Sequence, residues 1–378
     1  MHLQTVTYGA PAGWSAPLPV DQNGSRTLVL AFAAAGLADD DAPFQALRDA
    51  FPGSLLAGCS TAGEIAGAQV HDDSFSVAIA RFEHTDLRRA CTVIDSPDDS
   101  LAAGARLAAQ LGGDGLRAVF VLSDGLRVNG SLLVEGLTRH LPADVVVTGG
   151  LAGDGSRFQR TWVLQGGAPK THVVCAVGFY GERLRIGVGC EGGWSHFGPE
   201  RRITRSQGNV LFELDGKPAL DLYKTYLGER AAGLPGTALL FPLSVAGEGQ
   251  ETLVRTILAI DEKRKSMTFA GDLPAGGSAR LMRANTDKLI DSAGQAARTA
   301  SAGADFGAEA LVISVSCVGR RLVLGERTDE EAETVAAAAP ERSAHVGFYS
   351  YGEISPSARG NASQLHNQTM TVTVFSEA

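Results

Sequence analysis

Two carboxylates carry the first chemical signal in this sequence. Glu64 stands in LAGCSTAGEI (56–65) and Glu353 in VGFYSYGEI (346–354), and the two segments align without a gap. Gly58 falls on Gly347, Thr61 on Ser350, Gly63 on Gly352 and Ile65 on Ile354. A buried strand running into a small-residue turn that holds one acid, made twice, describes one cavity walled by two related halves. Cys59, Thr61, Glu64, Ser350, Tyr351 and Glu353 are then its candidate lining. Two acids facing one cleft can divide acid and base roles, or hold the ammonium group of a ligand. Each can equally accept hydrogen bonds from backbone N–H groups of its own turn, and no partnered nucleophile or base spacing accompanies them. Cys59 is a nucleophile or redox sensor if a cation or a helix N-terminus lowers its pKa, and an inert thiol if the apolar strand encloses it. No GxSxG stands around the serines near strand ends, so hydrolase chemistry has no support.

The histidines raise a second chemistry. His196 lies in Trp194-Ser-His-Phe-Gly198, between Trp194 and Phe197, and Arg201, Arg202 and Arg205 follow closely. A haem needs an apolar slot, an axial imidazole and cations for its propionates. The stretch offers all three, although a surface histidine beside a basic cluster would read the same. His172 and His345 each precede an apolar strand, where they could reach a pocket or act as caps. No CxxCH is present, which excludes c-type attachment. The five cysteines are odd in number, scattered and never in CxxC, so free thiols are expected, with no disulfide framework and no zinc site. Gly150-x-x-Gly153-x-Gly155 is not GxGxxG and runs into the strand-like TWVL, so it reads as a turn rather than a phosphate loop. Asp124 and Asp154 end strands and could meet a cation, but Asp-Gly is first a turn signal.

The elements that must position these residues alternate. Thr27–Ala34 is a continuous apolar run of strand length. Phe44, Leu47 and Phe51 then fall on one helix face before Pro52-Gly53. Helices follow near 101–111, 131–141, 218–227 and 286–301, and another opens at Thr328-Asp-Glu-Glu331, the spacing of a capping box. The apolar strands between them argue for an α/β fold of two related halves with mixed sheets, in which strand–helix–strand–GEI–strand occurs at both ends. Short connections among the later strands favour antiparallel pairing. Residues 1–26 read as an irregular lead-in, 27–217 as the first domain and 218–378 as the second. At 378 residues the chain can bury two cores. A net charge of −9 argues against a nucleic-acid partner. With neither a membrane-length apolar run nor a signal-peptide pattern at its start, the chain reads as cytoplasmic and membrane-free.

GCSTAGEI, the GGLAGDG turn at Gly149–Gly155, LFELDGKPALDLYKTYLG at Leu211–Gly228 and FYSYGEI at Phe348–Ile354 together resemble the FIST (F-box and intracellular signal transduction) family. The resemblance covers roughly 27–375. It implies an N-terminal and a C-terminal FIST domain and a ligand-sensing signal-transduction role rather than a metabolic enzyme. With no kinase, receiver or cyclase segment, the chain is similar to a branch of stand-alone bacterial haem proteins. These sense nitric oxide and regulate histidine kinases or cyclic-di-GMP enzymes. That branch implies haem, with His196 as proximal ligand and Arg201, Arg202 or Arg205 near the propionates, and a two-component or cyclic-di-GMP partner. A homo-oligomer is compatible with it. The alternatives are a FIST module binding a metabolite such as an amino acid, with Glu64 and Glu353 on its ammonium group, and an enzyme using Cys59 or the two glutamates.

Overall fold

A computed structural model describes residues 1–249, 251–302, 306, 309–356 and 362–378. Thr27–Ala34 is buried along its whole length, as a strand covered on both faces must be. It runs parallel to Leu55–Thr61 around helix Ala42–Ala50, whose Phe44 and Leu47, with Phe51 just beyond, turn inward as the spacing predicts. The same unit recurs twice. Leu116–Ser123 and Val146–Leu151 are parallel around helix Gly130–Thr138. Ala310–Cys317 and Ser343–Ser350 are parallel around helices Val318–Leu324 and Thr328–Ala338. Each central strand has an antiparallel closing strand beside it, Ser74–Arg81, Val173–Tyr180 and Met370–Glu377 in turn. Beyond that lies an outer strand, His2–Gly9, Asp86–Val93 and Leu184–Glu191.

The other edge of every sheet is filled by a neighbour. Glu64–Ala66 and Gln69–His71 leave the first unit as a hairpin and pair with Ser343–Ser350. Val163–Gln165 and Ala168–Lys170 leave the second for Leu55–Thr61. Gly352–Pro356 and Ser363–His366 leave the third for Val146–Leu151. The exchange closes a ring of three mixed sheets, and Phe32, Phe120, Ile313 and Phe348 meet in a core they share. Between its outer strand and helix Thr286–Ala302 the third unit carries an inserted antiparallel sheet with helix Ala219–Leu227 and its own core. The fold is thus α/β with mixed sheets in two halves, and the repeated unit occurs once more than the sequence reading had found.

Several expectations are corrected. Residues 2–9 of the supposed irregular lead-in form a strand in register with Ser74–Arg81, His2 opposite Arg81 through Gly9 opposite Ser74. Cys91 and Cys175 are not free thiols. They face each other across neighbouring strands with Cα atoms 4.1 Å apart and form a disulfide, whereas Cys59, Cys190 and Cys317 are free. Among the described residues no helix is long and apolar enough to cross a membrane.

The capping box does not form either. Thr328 donates its hydroxyl back to Gly325 O, and Glu331 is fully buried in an ion pair with Arg320. Arg320 Nε reaches Glu331 Oε1 at 2.8 Å, while Ser316 and Tyr349 hydroxyls donate to Oε2 at 2.9 and 2.8 Å. Arg320 also donates to Gly192 O and Leu289 O, which binds helix Thr286–Ala302 to the third unit. Removing one partner strands the other charge in the core. Glu331→Ala is expected to lower unfolding free energy in urea by about 3–5 kcal/mol. The double change Arg320→Met with Glu331→Leu should recover most of that loss; equal losses would mean that packing, not the unpaired charge, carries the effect.

Candidate functional site

Each parallel strand ends in the same kind of turn: Thr61-Ala62-Gly63-Glu64, Leu151-Ala152-Gly153-Asp154 and Ser350-Tyr351-Gly352-Glu353. The turns are stitched to one another. Ala62 N donates to Tyr349 O at 2.8 Å, Gly153 N to Ser60 O at 2.9 Å and Tyr351 N to Leu151 O at 3.1 Å. Gly58 and Gly347 allow the strands leading in to lie close to their neighbours. A side chain at either would begin 1.9 or 2.1 Å from a carbonyl oxygen, of Ala31 or Ser314. The ends of the three parallel pairs therefore converge, the place where open α/β sheets offer clefts to ligands.

Glu64 and Glu353 close their own turns and do not face a common cleft. Glu64 accepts from Thr61 Oγ1 and from Ser74 N and Oγ at 3.1 and 2.8 Å. Glu353 repeats this with Ser350 Oγ at 2.6 Å and Thr369 N and Oγ1 at 3.1 and 2.9 Å. Burial pushes both carboxyls up to about 7 against these hydrogen bonds. Cys59 lies in a strand with no exposure, and burial raises its thiol well above the usual range. Among the described residues no base or cation is hydrogen-bonded to it. Asp154, weighed from the sequence as a turn residue or a cation ligand, behaves differently. It accepts from Phe158, Gln159 and Arg160 N, each at 2.8 Å, and from the Tyr351 hydroxyl. Burial works against its charge, but these donors hold the carboxyl below its ordinary value. Asp124 caps a second loop through Leu126 N and Arg127 N at 2.8 and 2.9 Å and takes His172 N at 3.1 Å.

Of the predicted lining it is Tyr351, between Ser350 and Gly352, that reaches a cavity. The space is about 580 Å³ and lies between the second unit, the third unit and the inserted sheet. Phe158 stacks on Tyr351 with ring centroids 4.4 Å apart and 15° between planes, from a backbone φ of 53° that non-glycine residues rarely adopt. Leu151 and Val128 complete the trunk side, and Leu239, Ile257 and Leu258 the roof. Eight large apolar side chains are exposed among the described residues, and Leu126, Phe158, Leu258 and Leu322 of these line this one cavity. Such a concentration marks a binding surface. Ala62, which holds the position of Tyr351 in the first turn, lines an adjoining space of about 550 Å³ that shares Ser156 and Leu322. There Arg321 is tied to Asp72 at 2.9 and 2.7 Å and to Ala62 O at 2.6 Å. Sequence reasoning missed Phe158, Leu126, Leu258 and Leu322; only their hydrophobicity beside turn residues could have marked them.

His196 is elsewhere. It is exposed on a two-residue strand opposite Met282, in the inserted sheet. Trp194 Nε1 donates to Gln368 O at 2.8 Å, and Phe197 lies under Arg283 rather than over a slot. Arg201 is spent on Tyr226 and Asp215, Arg205 on Glu213, and Arg202 N on Asp215. The residues present do not fit a haem around His196. His172 is exposed, and His345 is a core residue whose Nε2 meets Ser314 Oγ at 2.7 Å and whose value burial lowers to about 4. Among the described residues no three His, Cys, Asp or Glu side chains group to hold a metal ion.

Comparison with known families places this geometry. The family model described as the FIST N domain matches residues 27–217, and that described as the FIST C domain matches 219–356. No curated protein matches the chain.

The two buried glutamates set a pH dependence. Their folded values, about 7, stand above the 4.5 of an unperturbed glutamate, so between those limits the folded chain keeps protons that the unfolded chain has released. Each group's contribution therefore falls as pH rises from about 4.5 to 7, by of order 3 kcal/mol. In thermal scans at pH 5 and pH 8, the advantage of wild type over Glu353→Gln should shrink at the higher pH. An advantage that grows with pH would show that the hydrogen bonds, not burial, decide the charge state.

Proposed function

Because the chain belongs to the FIST family, whose domains are signal-transduction sensory domains, we propose that it senses a small, flat, largely apolar ligand in the cavity beneath the inserted sheet. The observation that carries this reading is the clustering of Leu126, Phe158, Leu258 and Leu322, all exposed, around the stacked Phe158–Tyr351 pair. The volume, about 580 Å³, suits a drug-sized molecule, and the paired rings favour a planar one.

Signalling follows from what the cavity joins. Its floor belongs to the trunk and its roof, through Leu239, Ile257 and Leu258, to the inserted sheet. A ligand that touches both stabilises one placement of the sheet over others in proportion to its differential affinity. The surface so presented is the output, read by a partner such as a histidine kinase or a cyclic-di-GMP enzyme. The role needs no catalytic group, in keeping with the enclosed Cys59 and the committed glutamates.

The test uses the full chain and anilinonaphthalene sulfonate as reporter, displaced by a panel of apolar aromatics, with haemin as a separate titration. One dye per chain should bind wild type. Leu258→Glu and Leu322→Glu, whose side chains are 45% and 44% exposed, should weaken it at least tenfold with the unfolding midpoint unchanged. Equal binding by all three proteins removes the cavity from consideration. A haemin spectrum altered by His196→Ala would restore the haem reading in its place.

A further inference from the structure

On the other side of the seam between trunk and inserted sheet lies a second cavity, of about 430 Å³. It is bounded by helix Gly130–Thr138, by Leu253–Arg255 of the inserted sheet and by the hairpin strand Ser363–His366. Arg255 lines it and is only 4% exposed. The hydrogen bonds of its guanidinium run from Nε to Asp272 O at 3.0 Å, and from Nη1 to Leu365 O at 3.0 Å and Val254 O at 3.5 Å. All end on backbone carbonyls. Among the described residues Nη2 has no partner and the cation no bonded carboxylate. Burial disfavours its charge, with Asp272 only partly offsetting this.

A second donor lines the same cavity. Ser131 Oγ receives Asp272 N at 3.4 Å, which leaves its own proton to give. A side chain on Gly271 would begin 2.9 Å from the Arg255 guanidinium carbon and 3.1 Å from Ser131 Oγ, so the two groups pack around that glycine as near neighbours. A buried guanidinium with no carboxylate bonded to it can take an anion, and its planar fork suits a carboxylate. The charge is limited to one. Glu135, Glu251 and Asp272 line the same cavity; Glu135 is paired with Arg139, and the other two repel a second negative charge, which disfavours phosphate.

We propose that this cavity is a second ligand site, for a small monocarboxylate held by Arg255 Nη2 and Ser131 Oγ. It is separate from the apolar cavity and independent of what that one binds. The two nevertheless share a wall. Arg255 lies two residues from Ile257, and Asn129, which donates to Asp272 Oδ1 at 3.0 Å, stands between Val128 in one cavity and Ser131 in the other. Occupancy at Arg255 therefore fastens the same seam that the apolar ligand spans.

The experiment is calorimetric titration of the full chain with sodium salts from acetate to valerate at constant ionic strength, with chloride and phosphate as controls and thermal midpoints in parallel. At least one monocarboxylate should bind saturably and raise the midpoint above chloride, and phosphate should not. Arg255→Lys should weaken that binding at least tenfold. Since Arg255 also docks the inserted sheet, Ser131→Asp decides if that variant does not fold. It supplies a carboxylate beside Nη2 from the chain itself, and should raise the midpoint while abolishing the response. No monocarboxylate exceeding chloride, or a response that survives Ser131→Asp, overturns the proposal.

Discussion

Every trunk sheet is completed by a strand it does not own, and the rest of the structure depends on that exchange. A parallel pair with one closing strand leaves an open edge of unpaired N–H and C=O groups, which proteins must cover. Here each unit covers the edge of another with a hairpin whose leading strand is short, from Glu64–Ala66 to Gly352–Pro356. None of the three sheets is whole without its donor, so the ring forms as one body although two family domains describe its sequence. The price is paid in sequence freedom: Gly58 and Gly347 admit no side chain where the backbones approach.

The exchange also decides where a ligand can bind. It draws the carboxyl ends of three parallel pairs together, so the clefts between units are near-equivalents of one another. They differ in what fills them. Where the third unit meets the first, Arg321 bridges Asp72 and Ala62 O and the residue at the turn is an alanine. Where the second meets the third, the turn residue is Tyr351, and the inserted sheet closes over it. The lipophilic cavity is the cleft in which the repeat was broken twice, once by an aromatic and once by an insertion.

Much of this was legible in the sequence and some of it could not be. Periodicity located the helix Ala42–Ala50 and the apolar strands, because burial on both faces leaves a continuous apolar run that composition alone reveals. The GEI repeat was visible because Glu64 and Glu353 do the same structural work and so keep the same neighbours. Register was not visible. Nothing in the letters places Cys91 opposite Cys175, 84 positions apart, or pairs His2–Gly9 with Ser74–Arg81. Glu331 was misread for a related reason: its spacing from Thr328 fits a local cap, but a distant Arg320 competes for it inside the core. His196 carried the right letters for a haem and the wrong surroundings, since aromatics adjacent in sequence to an exposed strand need not enclose it.

The third copy of the turn escaped notice for a reason that bears on function. Leu151-Ala152-Gly153-Asp154 has leucine where its sisters have a hydroxyl, and an acid one methylene shorter. In the sister turns the hydroxyl and the longer carboxylate together tie the turn to the start of the closing strand, at Ser74 and Thr369. The middle copy cedes that task to Asp124, which takes His172 N. Asp154 is released to gather Phe158, Gln159 and Arg160 N into a loop and to receive the Tyr351 hydroxyl from the neighbouring unit. The substitutions that hide this copy from alignment with the others are therefore those that carry Phe158 onto Tyr351. A repeat that had kept its sequence would have closed its own turn and left no aromatic pair facing the cavity.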